Sequence, residues 1–133
     1  KHRNHLGVMT PTAMTLDNCN TPICDFISSP VYFAPGMLNP ARKPMGALNV
    51  LWSADANNNK NLKYNGLSND KDFILGAVGV GTPTNSVNSV YRMEDVNLDG
   101  KIRYNGNDND RNIILNNVGV NSQNNVIYQH TPN

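Results

Sequence analysis

The stretch EDVNLDGKIRYNGNDND, residues 94–110, places oxygen-bearing side chains at alternate positions and then a glycine. A hard dication such as calcium takes roughly six to eight oxygen ligands, and a twelve-residue loop supplies them from positions one, three, five and seven and from a closing carboxylate at position twelve. The residues at the first four of these positions are Asp95, Asn97, Asp99 and, through its backbone carbonyl, Lys101. Position twelve is Gly106, which has no side chain. The stretch therefore predicts a metal-binding loop with a displaced closing ligand.

A second copy of this pattern lies forty residues earlier in the chain. Shifting the sequence by 40 positions places residues 50–80 on residues 90–120, with a Tyr-Asn-Gly triplet and an Asn-Asp pair at the same place in both. Agreement this dense at one offset indicates an internal duplication. The corresponding ligands of the first copy are Asp55, Asn57, Asn59 and the backbone carbonyl of Asn61.

The Tyr-Asn-Gly triplet explains the displaced ligand. An Asn-Gly pair reverses the chain readily, so four inserted residues can form a turn and return the next carboxylate to the ion. That carboxylate is Asp110 in the second copy and Asp70 in the first. Both also fit the N-cap of a short helix that ends at Gly79 or Gly119. We therefore expect two calcium sites, each followed by one helix.

The composition is that of a chain with a small core. The 133 residues suffice for one ordinary domain or two very small ones, and 38% of them are hydrophobic, so a metal or a disulfide is expected to add stability. The 24 asparagines suit both turns and oxygen-rich ion sites. A net charge of +1 argues against nucleic-acid binding, and no apolar run is long enough for a membrane span. No catalytic motif is present, so we expect no enzyme activity.

The fold class expected from these patterns is α+β, with partial β-domain strands followed by a duplicated calcium-loop-plus-helix module. Residues 1–33 contain two short runs typical of strands and are interpreted as the last strands of a β-sandwich-like domain. Residues 34–49 are proline-rich and form a connector. Residues 50–128 hold the calcium-binding pair, as repeats 50–88 and 90–128. The start of the chain lacks a signal segment, which suggests a piece of a longer protein.

Two cysteines allow a further stabilising element. Cys19 and Cys24 enclose the short segment CNTPIC, and a disulfide between them fits a secreted protein. A zinc site built from these two residues with His2 and His5 is the alternative, although the spacing matches no familiar zinc finger.

Residues 50–120 resemble the dockerin repeat, a duplicated half EF-hand with the pattern D-x-N-x-D-G-x-I and a single helix. The YNGxxND insertion and the upstream segment HRNHLGVMT resemble the C-terminal region of large secreted surface proteins of Bacteroidota-type bacteria. Dockerins bind cohesins through paired helix and loop residues, often Ser-Thr. Tyr-Asn stands at those positions here, so cohesin binding is not implied.

The resemblance implies a non-catalytic, calcium-stabilised interaction or assembly module of a secreted cell-surface protein. Its partner would be another surface or secreted protein, or a further copy in self-assembly. The alternatives are a calcium-rigidified structural spacer and an accessory module of a secreted hydrolase whose catalytic domain lies upstream. An exposed apolar patch around Phe73, Ile74, Ile113 and Ile114 would favour docking, whereas their complete burial would favour the spacer.

We predict weaker calcium binding at the first site than at the second. The first site offers two carboxylates where the second offers three, and Lys60 replaces the turn glycine, which costs energy if the turn needs a positive φ. Isothermal titration calorimetry on Asp55→Ala and Asp95→Ala variants would measure each remaining site. Tighter binding by the Asp95→Ala variant, which keeps the first site, would contradict this ranking.

Overall fold

The computed structural model describes residues 2–17, 19 and 22–132 of the chain. Within them lie two helices of nine residues each and six strands of three residues each. In chain order these elements are β1 (Lys43–Met45), β2 (Leu48–Val50), β3 (Asn61–Lys63), α1 (Asp70–Val78), β4 (Ser86–Asn88), β5 (Lys101–Arg103), α2 (Asp110–Val118) and β6 (Val126–Tyr128).

The strands form three separate two-stranded antiparallel sheets. One is the hairpin of β1 and β2, while β3 pairs with β6 and β4 pairs with β5. The strand of the first loop is thus completed by residues that follow the second helix, and the strand of the second loop by residues that follow the first helix. In addition, α1 contacts β5 and α2 contacts β3. The two halves of residues 61–128 are interleaved and do not stand one after the other.

The fold class predicted from the sequence, partial β-domain strands followed by a duplicated calcium-loop-plus-helix module, was wrong. The described part of residues 2–42 contains no strand, and its one bridge joins His5 to Ser53. The Tyr32 N–H donates to the Met9 carbonyl at 2.9 Å, but no ladder extends from that bond in the described residues. A run of alternating residues forms a strand only where a partner strand completes its hydrogen bonds. The pairing of β3 with β6 joins the two halves, so neither half is a self-contained repeated module. The boundaries at residues 33 and 49 stay predictions.

The hydrophobic core lies between the two halves. Leu62 of β3 and Ile102 of β5 are fully buried, and so are Ile74 of α1 and Ile114 of α2. They belong to one cluster with residues from the preceding segment, among them Leu6. Because each helix has only nine residues, tertiary packing supplies most of its stability.

The N-caps of the helices are Asn69 and Asn109, one residue before the aspartates that the sequence suggested. Each asparagine side chain accepts the amide N–H three residues further on, at 3.0 Å in both helices. This satisfies one of the free N–H groups of the first turn. Since the asparagines perform the capping, the carboxylates of Asp70 and Asp110 remain available to the loops before them.

The residues N-terminal to the loops pack onto them as an irregular segment. Residues 3 and 4 form a turn, and Asn4 is fully buried. The Asn4 side chain donates to the carbonyls of Met93 and Asp95, at 3.0 and 2.8 Å. Leu6 is 1% exposed, and its N–H donates to the Trp52 carbonyl at 2.8 Å. This segment therefore belongs to the same core as the loops.

Positive φ angles occur where the sequence suggested glycine was needed. Gly79 and Gly119 end the helices with φ of 100° and 103°. In the turn of the second loop Gly100 has φ of 80°, and Lys60 at the matching position of the first loop has φ of 67°. A side chain in this backbone region costs roughly 1 to 2 kcal/mol.

Exchanging these two residues should therefore change stability in opposite directions. We expect Lys60→Gly to raise the free energy of unfolding by up to about 1 kcal/mol and Gly100→Lys to lower it by a similar amount. No atom lies within 4 Å of a Cβ at Gly100, so the cost there is that of the backbone alone. Urea unfolding of both variants measures the change, with Lys63→Gly in β3 as a control expected to destabilise. A destabilised Lys60→Gly variant would show that the lysine is not strained.

Candidate metal centres

The second loop, residues 95–110, brings its first three side-chain oxygens around one turn of backbone. The Asp95 Oδ1 and Asn97 Oδ1 atoms both accept the N–H of Asp99, at 3.1 and 3.0 Å. Asp95 Oδ2 also accepts the N–H of Gly100 at 3.2 Å, and Asp99 Oδ1 accepts that of Lys101 at 2.8 Å. Sharing one donor places the carboxylate of position one beside the amide oxygen of position three.

The first loop, residues 55–70, makes matching hydrogen bonds. The Asp55 Oδ1 and Asn57 Oδ1 atoms both accept the N–H of Asn59, at 2.9 and 3.1 Å. Asn59 Oδ1 in turn accepts the N–H of Asn61 at 3.1 Å. The predicted backbone ligands, at Asn61 and Lys101, are the first residues of β3 and β5. The two loops therefore arrange the same positions in the same way.

The displaced carboxylates return to the starts of their loops. Asp110 Oδ1 accepts the N–H groups of Val96 and Asn97 at 2.8 and 3.3 Å, and its Oδ2 accepts that of Arg103 at 2.8 Å. In the first loop Asp70 makes the three equivalent bonds, at 2.8, 3.4 and 2.8 Å, to Ala56, Asn57 and Lys63. The Tyr-Asn-Gly insertion thus forms a turn that leaves each aspartate facing its loop.

These carboxylates are deeply buried and lie close to a second carboxylate. Asp55, Asp70 and Asp110 are 0% exposed and Asp95 is 2% exposed. Burial, reinforced by the neighbouring Asp55 and opposed by backbone hydrogen bonds, raises the pKa of Asp70 to about 7. Burial also raises the pKa of Asp110 to about 6, with a smaller contribution from Asp95. In the described part of the chain neither Asp70 nor Asp110 forms an ion pair with a basic side chain.

The donor set of each loop fits a hard cation. All predicted side-chain donors are carboxylate or amide oxygens, which calcium prefers. Asp70 and Asp110 each accept three backbone N–H groups, so each has room for about one further contact out of roughly four lone-pair positions. Among the described residues, no group of three or more His, Cys, Asp or Glu side chains is placed to hold a metal ion. The three carboxylates predicted for the second loop, Asp95, Asp99 and Asp110, are thus not brought together as one group, and amide and backbone oxygens would have to complete each coordination shell.

Two arginines distinguish the second loop from the first. The Arg3 guanidinium donates to the Asp95 carbonyl at 2.9 Å and lies 3.4 Å from Asp95 Oδ2. The Arg103 guanidinium lies 3.5 Å from Asp99 Oδ2. Both arginines offset part of the negative charge that should favour the second loop. Sequence reasoning missed Arg3 because it precedes Asp95 by 92 positions and no local pattern links them.

The cysteines and the first histidines contribute no ligand to either loop. Cys19 is exposed, Cys24 is partly exposed, and both thiols are free in the structure. The disulfide between them stays a prediction. His2 and His5 are the two ends of the turn that contains Arg3, and their rings contact each other. The four-ligand zinc alternative receives no support from the described residues.

Comparisons of this chain with family models, with curated proteins and with solved structures found no match. The resemblance to dockerin repeats therefore rests on the loop residues alone and stays a prediction. In the described residues, neither helix has the length and apolar character required to cross a membrane.

The raised pKa values predict an unusual pH dependence when calcium is absent. Folded Asp70 and Asp110 hold protons up to pH values of about 7 and about 6, whereas the ordinary pKa is 3.8. The folded state therefore binds more protons than the unfolded state in this range, and their contribution to stability falls as pH rises from about 4 to about 7.

Thermal unfolding in chelator between pH 4 and 7 measures this trend. His5 and His130 have lowered pKa values because of burial, so their contribution has the opposite sign and is lost on acidification. Comparison with Asp70→Asn and Asp110→Asn variants isolates the contribution of the two carboxylates to the pH dependence of stability. If the wild type and both variants had the same slope, the two aspartates would not be the cause.

Proposed function

We propose that the two loops bind calcium, and that this chain is a non-catalytic, calcium-stabilised interaction or assembly module of a secreted cell-surface protein. The observation that carries the proposal is the pairing of buried carboxylates in each loop, Asp55 with Asp70 and Asp95 with Asp110. Buried charges in proteins are normally paired or bound to a metal. A dication in each loop would compensate the two adjacent carboxylates at neutral pH, and in the second loop it would share Asp95 with the Arg3 guanidinium.

Calcium fits these loops better than other common metals do. Zinc and copper favour nitrogen and sulfur ligands, and the predicted donors are all oxygens. Magnesium requires near-ideal octahedral geometry and keeps several waters, so a loop rich in side-chain and backbone oxygens suits calcium more closely. The residues that would hold the first ion are Asp55, Asn57, Asn59, Asn61 and Asp70, and those for the second are Asp95, Asn97, Asp99, Lys101 and Asp110.

The role of the bound ions would be structural. Each loop contains a three-residue strand and leads into a nine-residue helix, and neither element is stable alone. Binding energy that is available only to the folded loop adds directly to the stability of the fold. Calcium outside the cell would then maintain the folded module.

The exposed surface of α1 favours docking over a purely mechanical role. Ile74 and Ile114 are fully buried and Ile113 is half-buried against the core, which favours a spacer. Phe73, however, is 51% exposed and borders a shallow cleft with Gly76 and Ala77, which Asp72 and the ion pair of Arg92 with Glu94 complete. An exposed aromatic side chain beside small residues is a typical contact point for another protein. The partner would be another surface or secreted protein, or a second copy of this chain.

A calcium-rigidified spacer is the second candidate, and the burial of both isoleucines supports it. Such a spacer would need no specific partner, so Phe73 would be an isolated exposed residue, which is common on protein surfaces. Both candidates require calcium in the loops. A test of calcium binding therefore comes first.

Thermal unfolding with calcium and with chelator tests the central claim. A ligand present at 100 times its dissociation constant stabilises a folded protein by about 2.7 kcal/mol per site. We expect calcium to raise the unfolding temperature by several degrees, and magnesium at equal concentration to raise it less. Asp70→Asn and Asp110→Asn should each remove part of the calcium-dependent shift, whereas Asp25→Asn, at an exposed turn, should not. An unchanged melting curve would refute calcium binding.

A further inference from the structure

The turn at the start of the described chain places two imidazole rings together. His2 and His5 are the first and last residues of a four-residue turn, which is closed by the His5 N–H donating to the His2 carbonyl at 2.7 Å. Their Nδ1 atoms lie 3.3 Å apart. The ring centroids are separated by 5.0 Å and the ring planes meet at 78°. The two rings thus contact each other through one nitrogen each.

The rest of the fold holds this turn in place. Arg3 and Asn4, the two central residues, donate hydrogen bonds to the backbone of the second loop at Asp95. The turn is also tied to the segment before the first loop, through the Asn4 carbonyl, which accepts the N–H of Asp55 at 2.9 Å, and through the bridge from His5 to Ser53. The hydrogen bonds of Arg3 and Asn4 to the rest of the protein therefore hold the two histidines in position.

The histidine pair faces solvent. Both rings line an open cleft of about 450 Å³, whose other walls are formed by Lys43, Met45, Val50, Leu51 and Ser53. His2 is exposed and His5 is partly buried. The cleft is large enough for an ion and several water molecules beside the rings.

The spacing of the two nitrogens is that of a metal chelate. Zinc binds imidazole nitrogen at about 2.0 to 2.1 Å, and two such ligands in a tetrahedral arrangement are about 3.3 to 3.4 Å apart. The ligand form of histidine is the neutral ring. Burial first, and then the nearby His2 and Arg3, lower the pKa of His5 below its ordinary value, which favours the neutral ring. In the structure one Nδ1–H donates to the other Nδ1, so a metal bound to both Nδ1 atoms would replace that proton, which would move to an Nε2 atom or to solvent.

We propose that His2 and His5 form a binding site for a divalent transition metal, with two imidazole Nδ1 ligands and water in the remaining positions. Nitrogen ligands select copper, nickel or zinc over calcium, and affinity should follow the order in which copper exceeds nickel and zinc. The two ligands of this site are not those of the oxygen-rich loops, although the turn that carries them is anchored on Asp95 and Asp55. It would place a second class of metal on a surface of the same module.

Copper(II) binding followed by electron paramagnetic resonance tests this site. The full chain is used with an acetylated N-terminus, so that the terminal amine cannot act as a ligand, and with saturating calcium, so that the loops do not take up copper. We expect one copper with the hyperfine pattern of two equivalent nitrogens. His2→Ala and His5→Ala should each leave one imidazole nitrogen and weaken binding by at least about tenfold, since even the loss of an outer partner costs roughly 10- to 100-fold.

A matched control uses the same cleft. Val50→Ala changes another wall of the cleft and leaves both histidines, so the two-nitrogen spectrum should persist and copper affinity should not fall. Circular dichroism of each histidine variant confirms that it is folded. Equal copper affinity and equal spectra in the wild type and the His2→Ala/His5→Ala double variant would overturn the proposal and identify the contact as a hydrogen bond between two rings. The melting curves in calcium and chelator are a separate measurement, so the two proposals can fail independently.

Discussion

The interaction on which the fold depends is the buried carboxylate at the start of each helix. Asp70 and Asp110 each join three parts of the chain, because each side chain belongs to a helix, accepts two N–H groups from a loop start and accepts one from a strand. One aspartate therefore fixes the loop, strand and helix of its half relative to one another. The cost is a charge removed from water beside a second acidic group, and a cation in the loop would offset it.

The two loops differ in the basic side chains that surround them as well as in their number of predicted carboxylate ligands. The second loop has an additional carboxylate at Asp99, but Arg3 and Arg103 lie beside two of its acids. The first loop has fewer carboxylates and a strained backbone at Lys60. If calcium binds as proposed, the two arginines would lower the affinity of the second loop, and the strained backbone at Lys60 would lower that of the first.

Local patterns in the sequence predicted that Asp70 and Asp110 face their own loops, but they did not predict contacts between residues far apart in the chain. The repeated insertion led to Asp70 and Asp110 because their spacing from the loop start is the same in both copies. The exchange of β3 to β6 could not be foreseen, since strands of three residues carry no periodic signal. Residues 1–33 are interpreted as strands from two short runs, yet no strand lies in their described part, and Arg3 and Asn4 form a turn held by contacts with residues 93–95.

The exchanged strands also determine the order in which the chain can complete its loops. The β4–β5 ladder joins residues as close as Asn88 and Lys101, whereas the β3–β6 ladder joins Lys63 to Val126 at the nearest. Closing the longer connection costs more chain entropy. During synthesis from the N-terminus, β5 of the second loop can therefore pair with β4 while β3 of the first loop still lacks β6. The first loop along the chain is therefore the last to gain its partner strand.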